Sequence, residues 1–203
     1  IYDLREALSR IRIEGLFMDE VELFSLRKML DYAGQLERFF ATLDKVKYPL
    51  LSCESGVGRL NSLESRVGSP KSNIGFLIAS IDAILDRYGK MRDNASPELA
   101  RIRKEVSASQ GSGSRALNAI LRQAQAEGIL DKDASPTMRE GRLVLPVPPA
   151  YKRKIGGIVH DESATGKTVF IEPQQVVEAN NRIRELEGEE RRERIRILLE
   201  ITA

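Results

Sequence analysis

Ala164-Thr165-Gly166-Lys167-Thr168 resembles the end of a phosphate-binding loop, in which glycine-rich backbone and a lysine cradle nucleotide phosphates. That chemistry needs a glycine five positions before Gly166, where this chain has Asp161. It also needs a helix opening directly after the Lys-Thr pair, so that its N–H groups face the anion. Here Lys167-Thr168 runs into Val169-Phe170-Ile171-Glu172-Pro173, whose β-branched and aromatic residues suit a strand. Asp161 and Glu162 would also repel phosphate. The segment is predicted to be a hairpin turn that carries a lysine.

Tyr151-Lys152-Arg153-Lys154 is a second candidate, because clustered cations bind phosphates and a neighbouring tyrosine can stack a base. Taken by itself the run reads as a solvated basic turn. Lys167 and Arg142 are further candidate nucleic-acid contacts. Nothing in the chain has the pattern of a recognition helix, so base-specific readout is not expected. His160 has no cysteine or histidine partner in sequence and reads as a structural hydrogen-bonding residue. Asp161 and Glu162 read as solvated turn acids. Asn180-Asn181 are expected to satisfy polar groups where the β segment meets the following helix, with a hinge role. Cys53 reads as a core residue. No catalytic residue and no metal set is predicted.

These residues must be positioned by the elements around them. Ile155, Ile158 and Val159, then the polar run 161–166, then Val169 to Ile171, predict a β-hairpin that Glu172-Pro173 ends. The prolines of Pro146-Val147-Pro148-Pro149 stiffen the approach and are expected to keep it out of a central sheet position. Helices dominate elsewhere. Residues 3–12, about 20–43, 50–67 and 74–85 show helical apolar spacing, with 69–73 as a loop. Asp19 and Glu22 form a capping pattern. Ser96-Pro97-Glu98 starts a helix that can reach Glu127 before Gly128. Its apolar and small residues Leu99, Ile102, Val106, Ser109, Gly113, Ala116 and Ile120 have coiled-coil spacing. Gly111 and Gly113 either bend this helix or admit a close neighbour. A last helix from Pro173 carries Val177, Ile183, Leu186, Ile195, Leu198 and Leu199, with Glu187–Arg191 and Glu190–Arg194 as i,i+4 pairs. Two helices of about 45 Å would then flank the β insert.

As a pattern, Gly141-Arg-Leu-Val-Leu-Pro-Val147, Gly157-Ile-Val-His-Asp161, Phe170-Ile-Glu-Pro173 and Glu178-Ala-Asn-Asn-Arg-Ile-Arg-Glu-Leu-Glu187 resemble the bacterial MutS paralogues of the Smr-bearing type. Ala95-Ser-Pro-Glu-Leu-Ala-Arg-Ile-Arg103 is similar to the start of that family's lever helix. The first ninety residues match less distinctively. The resemblance implies a mostly α fold with a small β insert, in which a helical core and long antiparallel lever helices carry a β clamp. It divides the chain into a core of 1–95, a first lever helix of 96–128, a clamp of 129–172 and a second lever helix of 173–203. It also implies a homodimeric ATPase acting on branched or recombination DNA, where it suppresses recombination, or on stalled ribosomes. ATP, Mg and nuclease chemistry would belong to ATPase and Smr domains further along. Starting at Ile1 and stopping at Ala203 within a helical pattern, the chain is expected to be an excised piece with no cofactor of its own. Beside this resemblance, the phosphate-binding and solvated readings of 152–154 both stand.

Composition fits long helices with aliphatic seams. The chain is 41% hydrophobic and 31% charged, with 5% aromatic residues and no tryptophan, which argues against a large mixed globular core. One cysteine excludes an internal disulfide and suits the cytoplasm. No run is apolar for the roughly twenty residues of a membrane span. A net charge of +2 does not by itself establish a nucleic-acid partner. The rival reading is a coiled-coil dimerisation scaffold without nucleic-acid binding.

Overall fold

The computed structural model describes residues 3–42 and 70–202; the predicted helical stretch 50–67 and Cys53 lie outside them. The fold is mostly helical with a small antiparallel sheet. The chain divides into two compact units, residues 1–97 with 194–203, and residues 98–193.

In the first unit, α1 (Arg5–Arg10), α2 (Glu20–Thr42) and α3 (Pro70–Ile84) bury Leu4, Ala7, Met18, Leu23, Ile81 and Ile84. The start of α2 is a reciprocal capping box. Asp19 Oδ1 accepts from the Glu22 N–H at 2.8 Å, and Glu22 Oε2 accepts from the Asp19 N–H at 2.9 Å. Arg27 joins α2 to α3 through two bonds to Asp82, at 2.9 and 3.1 Å. Residues 70–73, expected in a loop, form the first turn of α3, because proline at a first helical position has no N–H to leave unsatisfied.

The second unit is built on α4 (Pro97–Ala126) and on α6 (Gln174–Thr202) as far as Glu193, which flank the sheet in sequence. Contacts run in opposite order along them: Arg103 with Glu190, Glu105 with Arg182, Gly113 with Ala179. The two helices are therefore antiparallel. Gly113 is buried, and a Cβ there would lie 3.4 Å from that of Ala179. Of the two alternatives for the glycines, this one admits a close neighbour. Gly128, at φ 68°, ends α4 as a left-handed cap, with the Ile129 N–H bonded to the Ala124 carbonyl at 2.9 Å.

Strands β1 (Thr137–Arg139), β2 (Arg142–Val147), β3 (Gly157–Glu162) and β4 (Val169–Pro173) form one antiparallel sheet in the order β1-β2-β4-β3. Glu140 and Gly141, both at positive φ, make the tight turn between β1 and β2. One sheet face packs on the helices: Leu145, Val147, Val169 and Ile171 join Leu117, Leu121 and Ala124 of α4 and Val176 of α6.

Three further expectations are corrected here. Pro146 lies within β2, an interior strand. Since β1 pairs only with Arg142–Val144, among the described residues the flank at Pro146 faces no strand and its missing N–H breaks no ladder there. The strand before the last helix ends at Glu172-Pro173 as expected, but Pro173, expected to open the helix, is the final residue of β4, with Gly157 as its register partner, and α6 starts at Gln174. Ile195, counted in the apolar stripe of α6, is exposed.

Candidate nucleic-acid interface

A short 3₁₀ turn (Pro149–Tyr151) and the single-turn helix α5 (Lys152–Ile155) carry the basic run. Tyr151 and Ile155, four residues apart, pack against the core, so Lys152, Arg153 and Lys154 are turned outward and exposed. The Lys154 ammonium lies 5.7 Å from the Tyr151 ring centroid, within cation–π range. Tyr151 therefore anchors the basic turn.

Lys167 is exposed in the β3–β4 turn. That turn uses its own backbone groups: the Ser163 N–H bonds the Thr168 carbonyl and the Gly166 N–H bonds the Ser163 carbonyl, both at 2.8 Å. Strand β4 follows instead of a helix, so no phosphate cradle forms around Gly166-Lys167-Thr168. The basic turn precedes β3 and Lys167 follows it. At about 3.4 Å per residue, the strand puts roughly 17 Å between them. They do not form one cluster.

Arg142 belongs to a different arrangement, centred on Glu172. The Glu172 side chain is 0% exposed. Arg142 Nη1 donates to Glu172 Oε1 at 2.7 Å and Oε2 at 3.0 Å, and Asn180 Nδ2 donates to Oε1 at 2.7 Å. His160 Nε2 lies 2.5 Å from Oε2. An ionised carboxylate only accepts, so the imidazole Nε2 carries the hydrogen. Arg142 Nη2 donates to Asn181 Oδ1 at 3.0 Å. The Asn180 amide also spans both polar groups of Leu143, accepting from its N–H at 3.3 Å and donating to its carbonyl at 3.2 Å. Three strands and the start of α6 thus meet on one carboxylate. Burial alone would push Glu172 up, but the bonds from Asn180, His160 and Arg142 outweigh it and hold the carboxyl below its ordinary value.

The predicted structural role of His160 and the polar role of Asn180 and Asn181 are both seen in this network. Its hub was not predicted; the available signal was a lone glutamate in the apolar run Val169–Ile171 before Pro173. Gly157 is a second missed position. At φ 137° it packs so closely on β4 that a Cβ would lie 2.1 Å from the Glu172 carbonyl oxygen. Arg139 is a third, its guanidinium 4.1 Å from the Phe170 centroid and 3.7 Å from Asp161.

The long helices are tied by charge. Arg101 reaches Glu98 at 2.7 Å and Glu189 at 3.4 Å and also pairs with Glu105, while Arg103 meets Glu190 at 2.9 Å. Arg182 meets Glu105 at 2.8 Å. The expected pair Glu190–Arg194 is replaced: Glu190 receives Arg103, and Arg194 meets Glu20 at 2.7 Å. Among the described residues no group of three His, Cys, Asp or Glu side chains is placed to hold a metal. No described helix is long and apolar enough to cross a membrane.

No protein-family model matches the chain. It is similar to curated proteins named Endonuclease MutS2. It is 34% identical to that of Geobacillus sp. (strain WCH70) over 205 residues, covering 100% of this chain and 24% of the relative. The Pelotomaculum thermopropionicum protein is 36% identical over 202 residues, covering 99% and 24%. The Enterococcus faecalis protein is 34% identical over 201 residues, again covering 99% and 24%. The chain thus spans about a quarter of the length of the curated relatives it matches.

Proposed function

We infer, from a chain that corresponds along its whole length to about a quarter of the MutS2 proteins, that it supplies the arm by which such a protein holds nucleic acid. In this reading residues 1–95 are a core, 96–128 and 173–203 the lever helices, and 129–172 the clamp. The long helices transmit the nucleotide state of an ATPase domain elsewhere in the protein, and the sheet insert follows them. Chemistry resides outside this chain: ATP and Mg in the ATPase, strand cleavage in a nuclease domain. The intended ligand is branched DNA, with suppression of recombination as the outcome. Action on a ribosome in the cytoplasm would use the same phosphate-binding surface, and a homodimer would present two arms.

The observation that carries this reading is the construction of the insert. A basic turn, anchored by Tyr151 and Ile155, stands on a sheet whose buried Glu172 is bonded to both strand and helix residues. Lys152, Arg153 and Lys154 contact phosphates, with Lys167 as a separate contact at the far turn. Arg142, neutralised by Glu172, holds the insert to α6 and serves the surface indirectly.

Fluorescence anisotropy of a labelled four-way DNA junction, titrated at several salt concentrations, tests the assignment. Replacing Lys152, Arg153 and Lys154 by alanine is expected to weaken binding and flatten log K against log salt by up to about 2.7, from 0.9 per lost phosphate contact. Binding with an unchanged slope in the triple variant would remove the basic turn from the interface. No binding by the unmodified chain at low salt would favour the scaffold reading.

A further inference from the structure

The geometry points to β3 as a self-complementary edge through which the sheet inserts of two copies of this chain pair antiparallel. β3 is a terminal strand of the sheet, and among the described residues nothing pairs with its outer flank. Exposed edges are usually kept short or charged, and β1, the opposite edge, has three residues. β3 has six and leaves Ile158 46% and Val159 45% exposed. Such an edge, with apolar side chains flanking free backbone groups, is suited to strand addition.

Charge selects the occupant. The exposed cations Lys152, Arg153 and Lys154 lie just before the strand, and the exposed acids Asp161 and Glu162 form its other end. A parallel neighbour of the same sequence would set like charges together. An antiparallel copy sets the basic turn of each beside the acids of the other, twice by symmetry. The shift in register between Val159 and Asp161 disrupts regular pairing near His160 and leaves Gly157–Val159 as the regular stretch. A register with Ile158 opposite its own copy uses that stretch, with Gly157 opposite Val159 and the basic turn of each copy at the end where the other carries Asp161 and Glu162. Arg139 already lies 3.7 Å from Asp161, so among the described residues Glu162 is the acid without such a neighbour and the joint, with four cations to two acids, stays basic and compatible with a phosphate ligand. A joint of one strand and one turn is small, so its affinity is expected to be weak.

Sedimentation equilibrium of the whole chain over a wide concentration range tests this, together with disulfide trapping in a Cys53→Ser background. A reversible dimer is expected. Ile158→Cys, on the two-fold axis, should cross-link faster than Thr165→Cys in the β3–β4 turn. Glu162→Lys should weaken the dimer about tenfold, since it turns two attractions into repulsions. Lys154→Glu combined with Glu162→Lys should restore it, because the pair is only inverted; circular dichroism of each variant confirms that the fold is kept. A chain that remains monomeric, a dimer indifferent to Glu162→Lys, or cross-linking no faster at 158 than at 165 would overturn the pairing.

Discussion

Glu172 shows how much one side chain can fix. Its carboxylate is buried, yet Arg142, Asn180 and His160 supply hydrogen bonds to both oxygens, and among the described residues no buried side-chain polar atom lacks a partner. Removing one member is costly because the others remain buried. Arg142→Ala, which strands the carboxylate, is expected to lose about 3 kcal/mol in urea unfolding. The pH dependence follows from the direction of the shift. A carboxyl lowered in the folded state adds stability that is complete above the ordinary glutamate value and is lost as pH falls through the lowered one. Acid titration of the unmodified chain should show this loss, and Glu172→Gln should have a flatter acid limb. Gly157→Ala is expected to cost at least about 2 kcal/mol, since its Cβ would meet backbone and its φ is strained. The partners His160, Asn180 and Asn181 were legible in sequence because lone polar residues near apolar runs need hydrogen bonds. Their shared acceptor was not, because strand pairing brings Arg142 and Glu172 together across thirty residues.

For the elements, local chemistry was legible and cross-element choice was not. The capping box at Asp19, the proline start of α4 and its glycine stop depend on residues within one turn, and the structure has all three. The α4 seam holds at Leu99, Ile102 and Gly113, then centres on the buried Leu117 and Leu121, with Ala116 and Ile120 partly buried beside them. A straight helix drifts about 20° per heptad from a 3.5-residue repeat, enough over three heptads to shift the seam by most of one position. The arginine-glutamate runs suggested pairs along one helix, whereas Arg101, Arg103 and Arg182 reach across to the other. Only the antiparallel register reveals that choice. The two glycines of α4 separate by environment. Gly111→Ala, with the nearest atom the Arg115 guanidinium at 3.5 Å, should stabilise the chain by about 0.5–1 kcal/mol. Gly113→Leu should instead destabilise it by about 1–3 kcal/mol by forcing α4 from Ala179, both read from thermal or urea unfolding.

At the level of the whole chain, a mostly helical fold with a β insert was legible from periodicity and from the turn chemistry of 161–168. The MutS2 correspondence extends over its full length. The path of the sheet was less accessible: Pro146 argued against an interior strand, and only the short reach of β1 explains why it is tolerated. A net charge of +2 hides the exposed cations at 152–154, because acids elsewhere offset them. The proposed transmission from ATPase to insert requires the unit of residues 98–193 to move as one body. Its most direct measurement is pulsed electron spin resonance on the longer protein, spin-labelled at two exposed positions, Ser107 of α4 and Thr165 of the insert, and diluted with unlabelled subunits. The distance distribution should be the same with and without ATP, while that between two subunits, read in undiluted protein labelled at Thr165 alone, changes. A Ser107–Thr165 distance that shifts or broadens with ATP, beside an unchanged intersubunit distance, would contradict a rigid arm and place the moving joint inside the insert.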